Sequence, residues 1–315
     1  MTYKNPIVYI ILPVYNWENF LLQQLMSIYF QDYKNRHLII INDWSTDSTN
    51  WIINKFILDY KLKEKITLIN QPNKWLNKSI ENWLIEAKNI IKSSKNKNSY
   101  ITYCDSDDLM MTNRLSYQIN YMEKHKNCDL SYHDLILIDK DNAIINLSYI
   151  KQMNKELMIN IYDDSFFEFC IWNHIPATTI MYKSSFINNL IPFPNKFPYQ
   201  DWRTALIFSS NNLCIKRIWI PLWYYRRYSH QMSDKQMNRE DYKRRYKEFI
   251  ESLLIIKKNI NSQKTLKEIN YFIKFYTRRI KRIEKKYNWF IQKILIILLF
   301  PKVFSIKLLS ITKKI

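Results

Sequence analysis

None of the 315 residues of this chain is glycine. Average usage of about 7% would place roughly 22 glycines in a chain of this length, so the absence constrains the fold and is not sampling noise. Glycine takes positive φ freely and lets the backbone approach a ligand closely. A chain without it holds no G-x-G-x-x-G turn and no Walker A loop. Any nucleotide it binds must have its phosphates met by a metal ion or by basic side chains. Tryptophan, by contrast, occurs 10 times, several times where a turn is wanted.

A hydrophobic fraction of 47% supports a real core, which excludes disorder over most of the chain, and the length fits one large domain or two ordinary ones. Ile7 to Leu12 is a short β-rich apolar run closed by Pro13-Val14-Tyr15-Asn16, a buried strand ending in a turn. Leu21, Leu25, Ile28 and Tyr29 recur at helical spacing. Leu38 to Ile41 is a second strand, a helix follows from Ser45-Thr46-Asp47 to about Tyr60, and Ile66 to Ile69 is a third strand. Asn77 to Ile91 is helical, and Tyr100 to Tyr103 is a fourth strand running into Asp105-Ser106-Asp107-Asp108. This alternation predicts a doubly wound, mostly parallel α/β sheet, Rossmann-like, in which ligands bind beyond the carboxyl ends of the strands. Asn16 with Glu18, then Asp43, then Asp105 and Asp107 follow three of those ends, so polar groups converge on one edge.

Beyond Asp141 the pattern is mixed: a helix over Ser165 to Ile171, a strand over Thr178 to Tyr182, a helix over Asp201 to Ser209, and one or two strands over Ile215 to Arg226. We divide the chain into residues 1–233 and a basic helical extension, 234–315. Charge follows that division. Residues 235–315 carry 22 Lys and Arg against 6 Asp and Glu, whereas the preceding residues are nearly balanced. Such asymmetry points to a polyanionic partner, nucleic acid or an anionic membrane surface. The apolar stretch Trp289 to Phe300 is interrupted by Lys293 and stopped by Pro301, too short to cross a bilayer. With the Lys-flanked run after it, it reads as an interfacial helix pair lying on a membrane; the alternative is a helix packed on the protein's own core or a dimer interface. Cys104, Cys128, Cys170 and Cys214 have neither metal-ligand nor disulfide-framework spacing, and read as reduced core cysteines of a cytosolic protein. The N-terminus lacks the marks of a signal peptide.

A lone D-x-D is most often a solvated turn. Two Asp at i and i+2 directly after a strand also suit a hard divalent cation, which takes one or two carboxylates plus substrate phosphates. Together with Pro13-Val14-Tyr15-Asn16, Ile40-Ile41-Asn42-Asp43-Trp44-Ser45-Thr46-Asp47, Gln200-Asp201-Trp202 and Tyr224-Tyr225-Arg226-Arg227, the segment resembles the family 2 inverting glycosyltransferases of the GT-A fold. The resemblance covers roughly residues 6–233, and the order of several motifs makes it specific.

That resemblance implies a metal-dependent transfer of a sugar from a nucleoside diphosphate donor to an acceptor hydroxyl, with inversion. It implies that Pro13, Val14 and Tyr15 line the base pocket, that Glu18 helps hold the nucleoside, and that Asp43 hydrogen-bonds the base, most simply uracil. Asp105 would contact ribose or sugar and share with Asp107 the binding of Mn²⁺ or Mg²⁺. Asp201 occupies the catalytic-base position, where the plain alternative is a carboxylate at a helix N-terminus. Arg226 and Arg227 would assist the leaving diphosphate, or else sit on a solvated edge strand. The family often has Tyr-Arg-x-His at this point; here Tyr228 takes the last place and His230 is left unassigned. Asn42 replaces the family's first Asp, and His133 and His174 read as ordinary polar or core positions.

Trp17, Trp44, Trp75 and Trp83 fall where the family has Gly, with Trp172 a further candidate. Position 44 is the sharpest case, because the turn there calls for positive φ. The coincidence with zero glycine leads to the expectation that the source cell reads as glycine a codon written here as tryptophan. The sequence therefore describes a GT-A transferase with a mixed acceptor half, peripheral on the cytoplasmic face of the cell membrane, acting on a lipid-linked or cell-surface glycan. Two rivals stand beside it: a catalytically inactive scaffold of the same fold, and a basic nucleic-acid-binding protein. Nucleic acid is not the expected partner, because acidic strand ends repel phosphate unless metallated.

Overall fold

The computed structural model of the chain describes residues 5–72, 76–94, 98–157, 164–194, 199–228 and 238–284. Trp75, His230 and the apolar stretch 289–300 lie outside them. In chain order the first half runs β1 (Ile7–Val14), α1 (Leu21–Tyr29), β2 (Arg36–Asn42), α2 (Thr49–Asp59), β3 (Ile66–Asn70), α3 (Leu76–Ser93) and β4 (Ser99–Tyr103). The second runs β5 (Leu109–Met110), α4 (Arg114–Lys124), β6 (Leu130–Ile138), β7 (Ile144–Asn146), α5 (Tyr149–Leu157), α6 (Phe166–Ile171), β8 (Met181–Lys183), α7 (Gln200–Ser210), β9 (Ile215–Arg226), α8 (Arg239–Lys257) and α9 (Gln263–Glu284).

One curled mixed sheet carries both halves, in the order β3-β2-β1-β4-β8-β6-β9-β5, with β7 paired to β6. The first four strands are parallel, and β8 is antiparallel to both β4 and β6. The continuous apolar runs of β1 and β2 follow from burial on both faces. Val8, Ile10, Leu12 and Val14 point to the layer of α1, α2 and α4, while Tyr9 and Ile11 point to the layer of α3, α6 and α7. That alternation defines a doubly wound sheet.

One segment differs in detail from the sequence reading, and a second is settled by the structure. The expected strand at Thr178 begins as a 3₁₀ turn over Ala177–Thr179, because Pro176 precedes it and its carbonyl takes the Thr179 hydroxyl, so the backbone is satisfied locally before β8 starts. Ile215 to Arg226 is a single strand, parallel to β6. Its register with β6 shifts opposite Asp134, and Trp219 and Ile220 are displaced there toward solvent.

α8 begins with a capping box, in which the Asn238 side chain accepts the Asp241 amide and Asp241 accepts the Asn238 amide. α8 and α9 do not stand away from the sheet. Phe249, Leu253, Ile256, Ile269, Phe272 and Tyr276 belong to the same core as Tyr9, Ile11 and Phe208, and the Tyr276 hydroxyl donates to the Cys170 carbonyl at 2.6 Å. Each of these large side chains gains about 1.5–3 kcal/mol from burial. Among the described residues no helix is long and apolar enough to cross a membrane.

Candidate functional site

The parallel strands β1, β2 and β4 end on one edge, and the loops that follow meet there. Asn16 and Asp43 lie side by side, for the Asp43 amide donates to the Val14 carbonyl and the Asn16 amide to the Ser45 hydroxyl. The Asp43 carboxylate is held from two sides, accepting from Gln71 Nε2 at 3.0 Å and from Ser79 Oγ at 2.9 Å. Glu18 accepts the Ser48 amide while its own amide donates to Asp47. Tyr15 is exposed and Pro13 half-buried, whereas the Val14 side chain is buried under α1, so that Val14 can offer this edge only its backbone.

At position 44 φ is 63°. The other described residues at positive φ are three Asn and one Lys, and Asn enters this region most readily. Trp44 is the bulky exception, and its indole is 62% exposed at the site edge. Trp83 and Trp172 bury their indole N–H groups without a hydrogen-bond partner.

The turn 105–108 is pinned from both halves of the molecule. Gln24 donates to the Asp105 carbonyl and Ser106 to the Pro13 carbonyl. From the end of β9 the Arg226 guanidinium donates to the Asp107 carbonyl at 2.7 Å, and just beyond the strand Tyr228 donates to Asp107 Oδ2 at 2.8 Å. Asp108 is fully buried and accepts from Trp223 Nε1 and from the Arg226 amide, both at 2.8 Å. Burial, followed by the charges of Asp107 and Asp105, holds its carboxyl well above the usual range. Asp108 is therefore a post for the turn. Arg226 is committed further, to the Asp139 and Lys140 carbonyls, Asn142 and Gln23, and its guanidinium lies over the Phe20 ring. The structure thus places this predicted phosphate group inside the scaffold of the turn, while Arg227, beside it, donates its amide to the Ile138 carbonyl.

Asp105 and Asp201 face one another electrostatically across this edge. Burial pushes the Asp105 carboxyl up to about 7, and the charges of Asp107 and Asp201 add to the effect. Asp201 sits in the first turn of α7. Its carboxyl is pushed up to about 6 by burial, against hydrogen bonds from the Trp202 amide (2.6 Å) and the Asn173 side chain and against the Arg245 charge. Arg245 comes from α8, where it donates to the Tyr199 hydroxyl at 3.0 Å and lies 4.4 Å over that ring.

Among the described residues no group of three or more His, Cys, Asp or Glu gathers at a common point. No all-protein metal cage is built there. The donor set would fit a hard cation that takes its remaining ligands from phosphate and water, with Asp105 and Asp107 as the carboxylates that could face it. The sequence reading assigned no role to Asp108, Trp223, Gln23 or Tyr228. The local signals among them were Asp108's place beside the D-x-D and Tyr228's place at the end of the Tyr-Arg-x-His segment.

A curled mixed sheet with this edge is the arrangement of the GT-A transferases. The structure superposes on Staphylococcus aureus TarS 1–349 in complex with UDP-GlcNAc with a TM-score of 0.59 at 15% identity, over 90% of this chain and 77% of that one. It superposes on the Pyrobaculum calidifontis mannosyltransferase PcManGT, solved with GDP-Man and Mn²⁺, with a TM-score of 0.55 at 14% identity, over 93% and 79%. The family model "Glycosyl transferase family 2" matches residues 9–189, more than half of the chain, and the chain belongs to that family. In sequence it is 33% identical over 163 residues to an uncharacterized glycosyltransferase of Haemophilus influenzae, covering 49% of this chain and 60% of that one. It is also 33% identical over 138 residues to the putative glycosyltransferase EpsE of Bacillus subtilis, covering 44% and 46%. The chain spans about half the length of these curated relatives.

Proposed function

We propose that this glycosyltransferase moves a sugar from a nucleoside diphosphate donor, a UDP-sugar first among them, to a hydroxyl of a glycan or lipid-linked acceptor, with inversion. The observation that carries the reading is the convergence of Asp43, Asp105 and Asp107 beyond the carboxyl ends of the parallel strands β2 and β4, with Asp201 near enough for its charge to reach Asp105. Asp201 takes the acceptor proton while the acceptor oxygen forms its bond to the anomeric carbon. The bond from that carbon to the diphosphate breaks on the opposite face, and its electrons leave with the phosphate. A carboxylate with an elevated pKa is a better base near neutrality than an ordinary one. Asp105 and Asp107 would hold Mn²⁺ or Mg²⁺, which when bound supplies positive charge for the diphosphate. Asp43, fixed by Gln71 and Ser79, presents its carboxylate edge to the base, and Glu18 braces the loop beside it.

The helical region adds a second part to the proposal. The outward residues of α8 and α9 include Arg239, Lys247, Lys258, Lys267, Lys274 and Arg278, which suits docking on an anionic leaflet on the cytoplasmic side of the membrane.

The test is a melting series with UDP-, GDP- and dTDP-sugars, with and without Mn²⁺, on wild type and Asp107→Asn. A donor at 100 times its Kd stabilises the folded state by about 2.7 kcal/mol. The expected result is a shift that needs both the metal and Asp107. Folded protein that responds to no donor overturns the reading; steeply salt-dependent DNA binding in its place would favour a nucleic-acid role.

A further inference from the structure

β9 turns an indole outward where its pairing with β6 slips. His133 pairs with Ile218 and Asp134 with Pro221, so Trp219 and Ile220 form the bulge between them. Trp219 is 68% exposed, the most exposed aromatic side chain among the described residues. Its ring is nonetheless braced. The Arg217 guanidinium lies 4.8 Å from its centroid and 5.3 Å from that of Tyr132, donates to the Tyr132 hydroxyl at 2.5 Å, and stands 3.7 Å from the Asp164 carboxylate. One face of the indole is thus backed by a fixed cation while the rest of the ring meets solvent.

The strand registers locate this ring relative to the transfer site. Thr102 of β4 pairs with Met181 of β8, and Met181 with Ser131 of β6. β4 and β6 run in the same direction, so Asp134, three residues past Ser131, stands near the level of Asp105, three residues past Thr102. The bulge opposite Asp134 therefore lies at the height of the Asp105 turn, three strand spacings across the sheet, roughly 14 Å. Tyr132, on which Arg217 and Trp219 are stacked, faces the layer of α6 and α7, and α7 carries Asp201. We propose that Trp219 is a subsite for the acceptor glycan, a platform on which a pyranose ring a few units from the reacting hydroxyl stacks; this rests on the transferase reading given above. A pyranose presents a row of C–H bonds on one face and keeps its hydroxyls at the rim, which suits an indole held from behind. Bracing the ring beforehand lowers the entropy lost when the sugar binds. The patch is also the wrong size for a protein partner, since an aromatic side chain offers at most about 250 Å² against roughly 800 Å² per side in a stable interface.

The experiment is saturation-transfer NMR of the full chain with tetrasaccharides of N-acetylglucosamine, mannose and galactose, in the presence of UDP and Mn²⁺, on wild type, Trp219→Ala and Trp219→Phe. A melting series with UDP and Mn²⁺ on the same three proteins reports the donor site independently. The expected result is saturation passing from aromatic protons of the wild type to the ring-face protons of one tetrasaccharide. Trp219→Ala should weaken that binding about 10–100-fold, and Trp219→Phe should keep most of it, with the UDP-dependent shift unchanged in all three. Trp219→Ala binding as tightly as wild type overturns the platform and leaves the donor site standing, and so does a wild type that takes up none of the three sugars. A UDP-dependent shift lost in Trp219→Ala marks damage that reaches the donor site and also overturns it. Binding through Trp219 in a protein that responds to no nucleotide keeps Trp219 as a glycan site and overturns the transferase reading alone.

Discussion

Asp43 and Asp201 are carboxylates held in two different surroundings. Asp43, in the parallel half, accepts from Gln71 and Ser79, and its neighbour Asp47 is drawn below the usual carboxylate range because hydrogen bonds from Thr49 and Glu18 outweigh its burial. Asp201, in the mixed half, is raised to about 6 because burial outweighs the Trp202, Asn173 and Arg245 contributions. Asp43 and Asp47 are thus held as hydrogen-bond acceptors, whereas burial keeps the Asp201 carboxyl raised. The difference lies in how many donors each carboxylate meets relative to how much water it has lost.

The largest effect is expected at Asp201. Asp201→Asn should lower kcat by about 10²–10⁴-fold with donor binding retained, whereas Asp43→Asn should act mainly on donor KM. A kcat loss shared equally by both variants would break the comparison. The pH profile sharpens it: a base works only when deprotonated, so kcat/KM should fall as pH drops through about 6 and level off above. The acid limb should vanish with the residual activity of Asp201→Asn. Next comes the turn that joins the halves. Arg226→Ala removes a buried guanidinium from five acceptors and should cost about 2–4 kcal/mol of stability, read as a lower denaturation midpoint. Arg226→Lys should not rescue it, since an ammonium cannot reproduce the fork. A variant of normal stability with weakened donor binding would instead restore Arg226 to direct phosphate contact.

The smallest effect is expected at position 44. Trp44→Gly relieves a left-handed backbone but loosens the unfolded chain, so a net gain of about 0.5–1 kcal/mol is expected. Protein purified from the source cell should also be lighter than the written sequence by an indole side chain for each recoded position. A mass equal to the written sequence would leave Trp44 as genuine strain.

The first four strands and their convergent polar ends were legible because parallel strands read as apolar runs with abrupt polar stops. β6 gave no such signal: Ser131, His133 and Asp134 interrupt its run, yet all nine of its residues are buried, with His133 accepting from the Arg114 guanidinium and Asp134 from the Ile150 amide. The clamp on the 105–108 turn was equally hidden. Asp108 and the Arg226 amide are separated by 118 residues, and Tyr228 and Asp107 by 121. Periodicity carries no information about pairs so far apart. Position 44 was the opposite case: the resemblance puts a glycine there, in a turn of a kind that often needs positive φ, and φ is 63°.

The burial of Phe249, Leu253, Phe272 and Tyr276 against the sheet layer bears on how this protein could be taken apart. Ending the chain at residue 233 would strip Phe249 from Trp202, whose ring centroids lie 4.9 Å apart, and Tyr276 from the Cys170 carbonyl that accepts from it. It would also remove the cation that faces Asp201. The helical pair packs on the layer that carries Asp201, so a chain ending at residue 233 is expected to lose core packing and, with it, stability.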